Sequence, residues 1–233
     1  GQAPEAIDEL RRAADLAPES TRLVIQLLGA YYVNEDYENA ALMAERAVKA
    51  EPNSVVLRVW LGRTYYQLKR YDEAQEAFEK AVAIDPTNSV AYEAMAQILE
   101  ETNDLVGAVD VYQKLIEITP KSAFLYYRLG ANLVQMNDTK GARAALEKAL
   151  ELNPALTPAR YVLGLLLVED GEYEHAVEQF TKFLKESPDH VQARVNLAAA
   201  QARKGDLDGA IDTLTKVVEG PDVEPEHHLL RTF

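Results

Sequence analysis

Cysteine is absent from the 233 residues, so the chain has no disulfide framework, no thiolate metal site and no catalytic thiol. Long apolar runs are absent as well. The longest, Tyr161 to Val168, falls well short of the roughly 18–20 residues that a membrane-spanning helix requires, so no direct membrane insertion is expected. Basic residues are few, 24 against 38 acidic ones, and the formal net charge of −14 argues against nucleic acid as a principal ligand. The sequence opens Gly1-Gln2-Ala3-Pro4, without the basic start and apolar stretch of a secretory leader. No compartment is indicated: cytoplasm and bacterial envelope are both compatible with these absences. What is present is apolar material in quantity. A hydrophobic fraction of 48% suffices for a core and argues against disorder despite the charge.

The prolines carry the decisive pattern. Pro18, Pro52, Pro86, Pro120, Pro154 and Pro188 follow one another at intervals of 34 residues. With these prolines at position 32, full repeats span 21–54, 55–88, 89–122, 123–156, 157–190 and 191–224. Residues 1–20 precede them as the second half of a repeat, and 225–233 follow as the start of a further or capping helix. Position 20 is alanine in every copy (Ala40, Ala74, Ala108, Ala142, Ala176, Ala210), and Ala6 matches it in the leading half. Position 8 is small in Gly62, Ala96, Gly130, Gly164 and Ala198, with Leu28 the exception. Position 24 holds Ala44, Phe78, Tyr112, Leu146, Phe180 and Leu214.

Positions 4, 7, 8 and 11 form one stripe at helical spacing, and positions 20, 24 and 27 form a second. Each repeat therefore reads as two amphipathic helices, A and B, approaching closely where position 8 is small. Pairs such as Asn103-Asp104, Asn137-Asp138, Gly171-Glu172 and Gly205-Asp206 break the pattern between A and B. The position-32 proline ends B. Ser54, Ser89, Ser122 and Thr157, the last followed by Pro158, are the expected caps of the next A helix.

The second repeat, with Leu61-Gly62, Tyr65, Ala74, Phe78, Ala81 and Pro86, resembles the tetratricopeptide repeat family, and the likeness extends over essentially the whole chain. The resemblance implies an all-α α-solenoid: a right-handed superhelix of helix-turn-helix repeats in one continuous array. Two departures stand out. The family's position-4 tryptophan is missing, with Trp60 at position 6 and Arg58, Arg160 and Arg194 at position 4, which is expected to individualise the inner surface. Leu115 and Phe183 replace alanine at position 27. Both ends fall inside a repeat, and we read the sequence as part of a longer array. Ile7 and Leu10 at one end, and Leu229, Leu230 and Phe233 at the other, are expected to be partly bare.

In that family the A helices line a concave groove through positions 2, 5, 9, 12 and 13. Here those positions supply Tyr32, Val59, Arg63, Tyr66, Glu93 and Gln97, then Phe124, Tyr127, Val134, Tyr161, Leu165, Val168 and Val195. The set is apolar and aromatic, a composition suited to a peptide or amphipathic helix of a protein partner. The bland alternative is that position 2 and part of position 5 are core. Glu93, Glu100 and Glu101 form an acidic spot flanked by Arg63 and Arg128, able to read a basic ligand residue or simply to be solvated. The Lys and Asn carboxylate clamp of chaperone-binding members is absent, since position 5 holds Ile25, Val59, Glu93, Tyr127, Tyr161 and Val195. The asparagine ladder of the O-linked sugar transferase arm is absent too, because Asn132 and Asn196 fall out of register.

No catalytic, metal or cofactor residues are expected. Of the histidines, His175 lies on a B helix, His190 in a connector, and the adjacent His227 and His228 point apart on a helix. The A segments contain five acids and eight bases, so the acidity belongs to the B helices, connectors and ends, as a solubilising coat. The sequence thus reads as a non-catalytic protein-protein interaction scaffold. The alternatives are a scaffold that self-assembles, as a homo-oligomer through groove or array ends, and the regulatory arm of a larger enzyme or envelope-assembly protein.

Overall fold

The computed structural model describes residues 3–16 and 20–218, and all regular structure among them is helical. The chain forms two compact units, Gly1–Ile118 and Thr119–Phe233. The first contains α1 (Ala3–Leu16), α2 (Thr21–Val33), α3 (Tyr37–Ala50), α4 (Val55–Gln67), α5 (Tyr71–Ile84), α6 (Ser89–Glu101) and α7 (Leu105–Ile118). The second contains α8 (Ala123–Gln135), α9 (Thr139–Leu152), α10 (Thr157–Glu169), α11 (Tyr173–Glu186), α12 (Val191–Lys204) and α13 (Leu207–Val218). The even-numbered helices are the A helices, each starting at the first position of its repeat. The odd-numbered ones are the B helices. In the first unit α2, α4 and α6 pack on α3, α5 and α7 as hairpins; in the second α8, α10 and α12 pack on α9, α11 and α13.

Both stripes are largely buried, position 4 being the main exception: Val24 is buried there, whereas Arg58, Tyr92, Tyr126, Arg160 and Arg194 are half-buried. Position 20 has at most 6% exposure in all six repeats, and position 24 is buried in five, Leu214 at 43% being the exception. Position 8 shows why smallness matters. A methyl group added at Gly62 would stand 2.7 Å from the Phe78 ring, at Gly164 2.7 Å from Phe180, and at Gly130 2.8 Å from Leu146. The absent side chain is the space into which the B-helix side chain packs. Where position 8 is Leu28, position 24 is only Ala44, so the volume has moved across the hairpin, and both residues are fully buried.

The A-to-B turn repeats one backbone device. Glu35, Lys69, Asn103, Asn137, Gly171 and Gly205 all adopt positive φ, from 58° to 96°. The next residue's N–H closes back on the last turn of helix A, as in Asp36 to the Tyr31 carbonyl at 2.9 Å and Asp138 to the Leu133 carbonyl at 2.9 Å. That next residue also starts helix B: the Asp36, Asp104, Asp138 and Asp206 carboxylates accept the N–H of the residue three positions on. Lys69 (φ 58°) occupies a conformation that costs an L-residue about 1–2 kcal/mol, partly offset by glycine's greater freedom in the unfolded chain. Lys69→Gly is therefore expected to raise stability by about 0.5–1 kcal/mol, read as a higher urea midpoint at unchanged slope.

Helix starts on the A side differ from the sequence expectation. Ser54 and Ser122 sit at N-cap positions without a side-chain cap bond. Asn88, not Ser89, caps α6 through its side chain, and Leu156, not Thr157, precedes α10, where Pro158 lies in the first turn. His190 caps α12, its Nδ1 accepting from the Ala193 N–H at 3.1 Å. The position-4 arginines do not shape an inner surface either. Arg58, Arg160 and Arg194 turn back to donate to the carbonyls of Pro52, Pro154 and Pro188, six residues earlier. Where the family pattern has tryptophan, these guanidiniums satisfy the carbonyl of the proline that ended the preceding helix.

Ile7, expected to be partly bare, is buried at 7% exposure on α1, which packs on α2, while Leu10 is half-buried. The expectations for Pro18, His227, His228, Leu229, Leu230 and Phe233, and for a helix over 225–233, fall outside the described residues.

Candidate functional site

Within its unit each A helix is covered by its own B helix, in α2, α4, α6, α10 and α12 also by the preceding B helix, and by neighbouring A helices. The last contacts are α2 with α4 and α4 with α6 in the first unit, and α8 with α10 and α10 with α12 in the second. The remaining face is the one that positions 2, 5, 9, 12 and 13 occupy, and none of the thirteen residues predicted to line it is buried. Position 2 is not core: Val56 is 51% exposed, Val90 44% and Phe124 53%.

In the first unit this face is stitched between repeats by tyrosine and amide side chains. Gln67 Nε2 donates to Tyr32 Oη at 2.7 Å, and Gln97 Nε2 donates to Tyr66 Oη at 2.5 Å. Tyr66 Oη donates in turn to Glu101, whose other oxygen accepts from Tyr71 Oη at 2.8 Å. Sequence reading named Tyr32, Tyr66 and Gln97 as ligand contacts and missed that they tie neighbouring helices. The available signal was Tyr at position 12 followed by Gln or Glu at position 9 or 13 of the next repeat. Glu101 is thus a shared acceptor, held below the usual carboxylate range chiefly by the Tyr66 and Tyr71 hydroxyls. Glu100 accepts from Tyr112 Oη at 3.0 Å. The three glutamates therefore make no single solvated spot.

Between α4 and α6 lies a recess of about 270 Å³. The buried Phe78 ring, Val90 and Ala94 supply its apolar part; Tyr32, Tyr66 and Gln97 supply polar walls; Arg63 and Glu93 bring charges of opposite sign.

In the second unit the face is more apolar. Phe124 and Tyr127 form a ring pair 6.3 Å apart, with the Arg128 guanidinium 5.7 Å from the Phe124 ring. Val134, Leu165 and Val168 are half-buried, and Val195 is 36% exposed. Tyr161 plays two parts: its ring packs against Phe180, Phe183 and His190 at 6.0, 5.1 and 5.2 Å, and its Oη accepts from Asn196 at 3.2 Å. His190, read as a plain connector residue, belongs to this cluster. A second recess, of about 480 Å³, lies between α9, α10 and α11. Its cations are engaged: Arg143 with Glu147 and Glu172, Lys182 with Glu178, and Arg160 with Pro154 and Gln179.

Among the described residues there is no group of three or more side chains that could hold a metal ion, and no helix is long and apolar enough to cross a membrane. The tyrosines supply a pH signature instead. Burial first, then the Glu45 hydrogen bond, pushes Tyr65 up to about 12, and burial followed by Glu93 pushes Tyr112 up to about 12. Tyr66 is raised as well, by burial and its bond to Glu101. A pKa raised on folding contributes stability below the unfolded value, near 10, and loses it as pH rises through the folded one. The tyrosines' contribution to stability is thus expected to be constant up to about pH 10 and to fall above it, with part of the tyrosinate absorbance appearing only near pH 12.

Comparison with known proteins places these observations. Tetratricopeptide repeat profiles match residues 32–98, 68–133, 123–156 and 161–224. No curated protein matches the chain. Among solved structures, MamA from Desulfovibrio magneticus RS-1 is 25% identical, covering 71% of this chain and 93% of its own, with a TM-score of 0.63. YrrB, described as a TPR protein with an unusual peptide-binding site, is 23% identical over 81% of this chain and 97% of its own, with a TM-score of 0.68. PilF of Pseudomonas aeruginosa is 20% identical over 97% and 98%, with a TM-score of 0.66.

Proposed function

The chain belongs to the tetratricopeptide repeat family, and from that premise we propose that it is a protein-interaction scaffold whose A-helix faces hold an extended or helical peptide segment of a partner. The observation that carries the reading is the row of apolar and aromatic side chains left uncovered on successive A helices, with Val56 and Val90 in one unit and Phe124 and Val195 in the other. Uncovered apolar surface in register, repeated over several helices, marks an interaction face. The peptide-binding site described for YrrB supports the reading through likeness of fold alone. Position 5 supplies no clamp for a terminal carboxylate, so the partner is held through apolar contact along the face.

The test is a random peptide display library panned on the whole chain. Enriched peptides are expected to bind about tenfold or more weakly once Phe124→Asp and Tyr127→Ala are introduced together. Phe124 lies in the first turn of α8, where aspartate is favourable to the helix, so helicity is expected to stay intact. Failure to enrich any peptide, or binding that ignores substitutions on both A faces, overturns the reading.

Self-association is the second reading. It is favoured by α13, where Leu207, Ile211 and Leu214 form a stripe with 62%, 62% and 43% exposure. Sedimentation over a dilution series separates the two. A mass that stays monomeric throughout removes this reading, and a dimer abolished by Ile211→Asp supports it.

A further inference from the structure

The recess between α4 and α6 holds two charges that the fold leaves unanswered. Every other polar side chain that gives the recess its rim has work within the fold: Tyr32 accepts from Gln67, and Tyr66 accepts from Gln97 and donates to Glu101. Arg63 and Glu93 differ. Both are exposed, both line the recess, and neither has a hydrogen-bond or ion-pair partner among the described residues. They stand on adjacent A helices and do not reach each other, so the recess presents a cation on its α4 side and an anion on its α6 side. Apolar surface from Val90 and Ala94 lies between, with the buried Phe78 ring beneath it.

The dimensions narrow what fits. Small-molecule sites typically enclose about 300–1,000 Å³, and this recess holds about 270 Å³. It is the size of a socket for a peptide side chain. A wholly acidic or wholly basic segment meets repulsion on one side, whereas a segment with one charge of each sign answers both.

Building on the proposed scaffold role, we propose that this recess is the specificity-determining socket of the first unit. It takes an apolar side chain of a partner peptide that carries an acidic residue on one side of the anchor, facing Arg63, and a basic residue on the other, facing Glu93. The charges set the direction in which the peptide lies across α4 and α6, and the apolar anchor supplies the contact area.

The same display library, panned in parallel on the unsubstituted chain, on Arg63→Glu, on Glu93→Arg and on the double exchange, tests it. Peptides enriched on the unsubstituted chain are expected to combine an apolar residue with one flanking acid and one flanking base. Each single exchange is expected to weaken them about tenfold, and the double exchange to select peptides with the two charges in reversed order. Neither side chain is bonded in the fold, so circular dichroism and the urea midpoint are expected to stay unchanged in all three variants. If peptides are enriched and respond to Phe124→Asp with Tyr127→Ala but not to either exchange, the socket is refuted and the scaffold reading stands. If no peptide is enriched on any form of the chain, both fall together.

Discussion

Replacing Phe78 with alanine is expected to cost about 3–5 kcal/mol of unfolding free energy, the range for emptying a fully buried aromatic position. Phe78 has 0% exposure, and its ring fills the space that Gly62 leaves on the facing helix. Because no Cβ projects from Gly62, the backbone of α4 cannot supply atoms to close the void, and the cost is placed at the upper half of that range. The chain itself contains the compensating arrangement. In the preceding repeat the large residue is Leu28 on the A helix and the small one is Ala44 on the B helix. Gly62→Leu alone is expected to destabilise by about 1–3 kcal/mol, because its side chain collides with the Phe78 ring. Combined with Phe78→Ala it is expected to recover more than half of the loss, because the volume then moves across the hairpin as it does at Leu28 and Ala44. Urea unfolding of the two single variants and the double variant measures the coupling. Strict additivity would refute the account.

The second large effect is at Tyr161. Its removal as Tyr161→Ala is expected to cost about 2–4 kcal/mol, since three aromatic contacts disappear and a half-buried ring is lost. Tyr161→Phe keeps the rings in contact and removes only the acceptor for Asn196, so about 1 kcal/mol or less is expected. The comparison has a functional consequence. Any loss of peptide binding in Tyr161→Ala would mix a destabilised unit with a lost contact. Phe124 and Tyr127 pair with each other and, through Phe124, with Arg128, so their substitution is expected to disturb the unit less than loss of Tyr161 and to report chiefly on binding. If Tyr161→Ala left the urea midpoint unchanged, Tyr161 would be a surface residue and nothing more.

Much of this architecture is legible without coordinates. The 34-residue proline interval sets the repeat, and apolar positions three and four apart place two helices within it. Helices α2, α4, α6, α8, α10 and α12 start where the repeat boundaries put them. The stripes at positions 8, 20 and 24 are almost wholly buried as expected, because helical period alone determines which side chains share a face. The candidate face was legible for the same reason: positions 2, 5, 9, 12 and 13 lie opposite those stripes.

Other features were decided by which helix meets which. Leu57, Ala91, Leu125, Ala159 and Ala193 at position 3, and Thr64, Ile98, Asn132, Leu166 and Ala200 at position 10, lie outside both stripes and are all buried. Within a unit an A helix touches its neighbouring A helices, and in α2, α4, α6, α10 and α12 also the preceding B helix, as well as its own partner, and helical period cannot report contacts made across repeats. Thr64 is tolerated there because its hydroxyl donates to the Trp60 carbonyl of its own helix. The same limit hid the reach of Arg58 to the Pro52 carbonyl, the capping of α6 by Asn88, and the tyrosine links between α2, α4 and α6. Such bonds depend on distances between side chains in separate turns and helices, and these are set only once the hairpins have packed. By itself, then, the sequence determined the helices, their faces and their pairing, because each follows from local periodicity. The tertiary structure alone decided which polar groups on those faces are consumed in holding the repeats together and which, like Arg63 and Glu93, have no hydrogen-bond or ion-pair partner among the described residues.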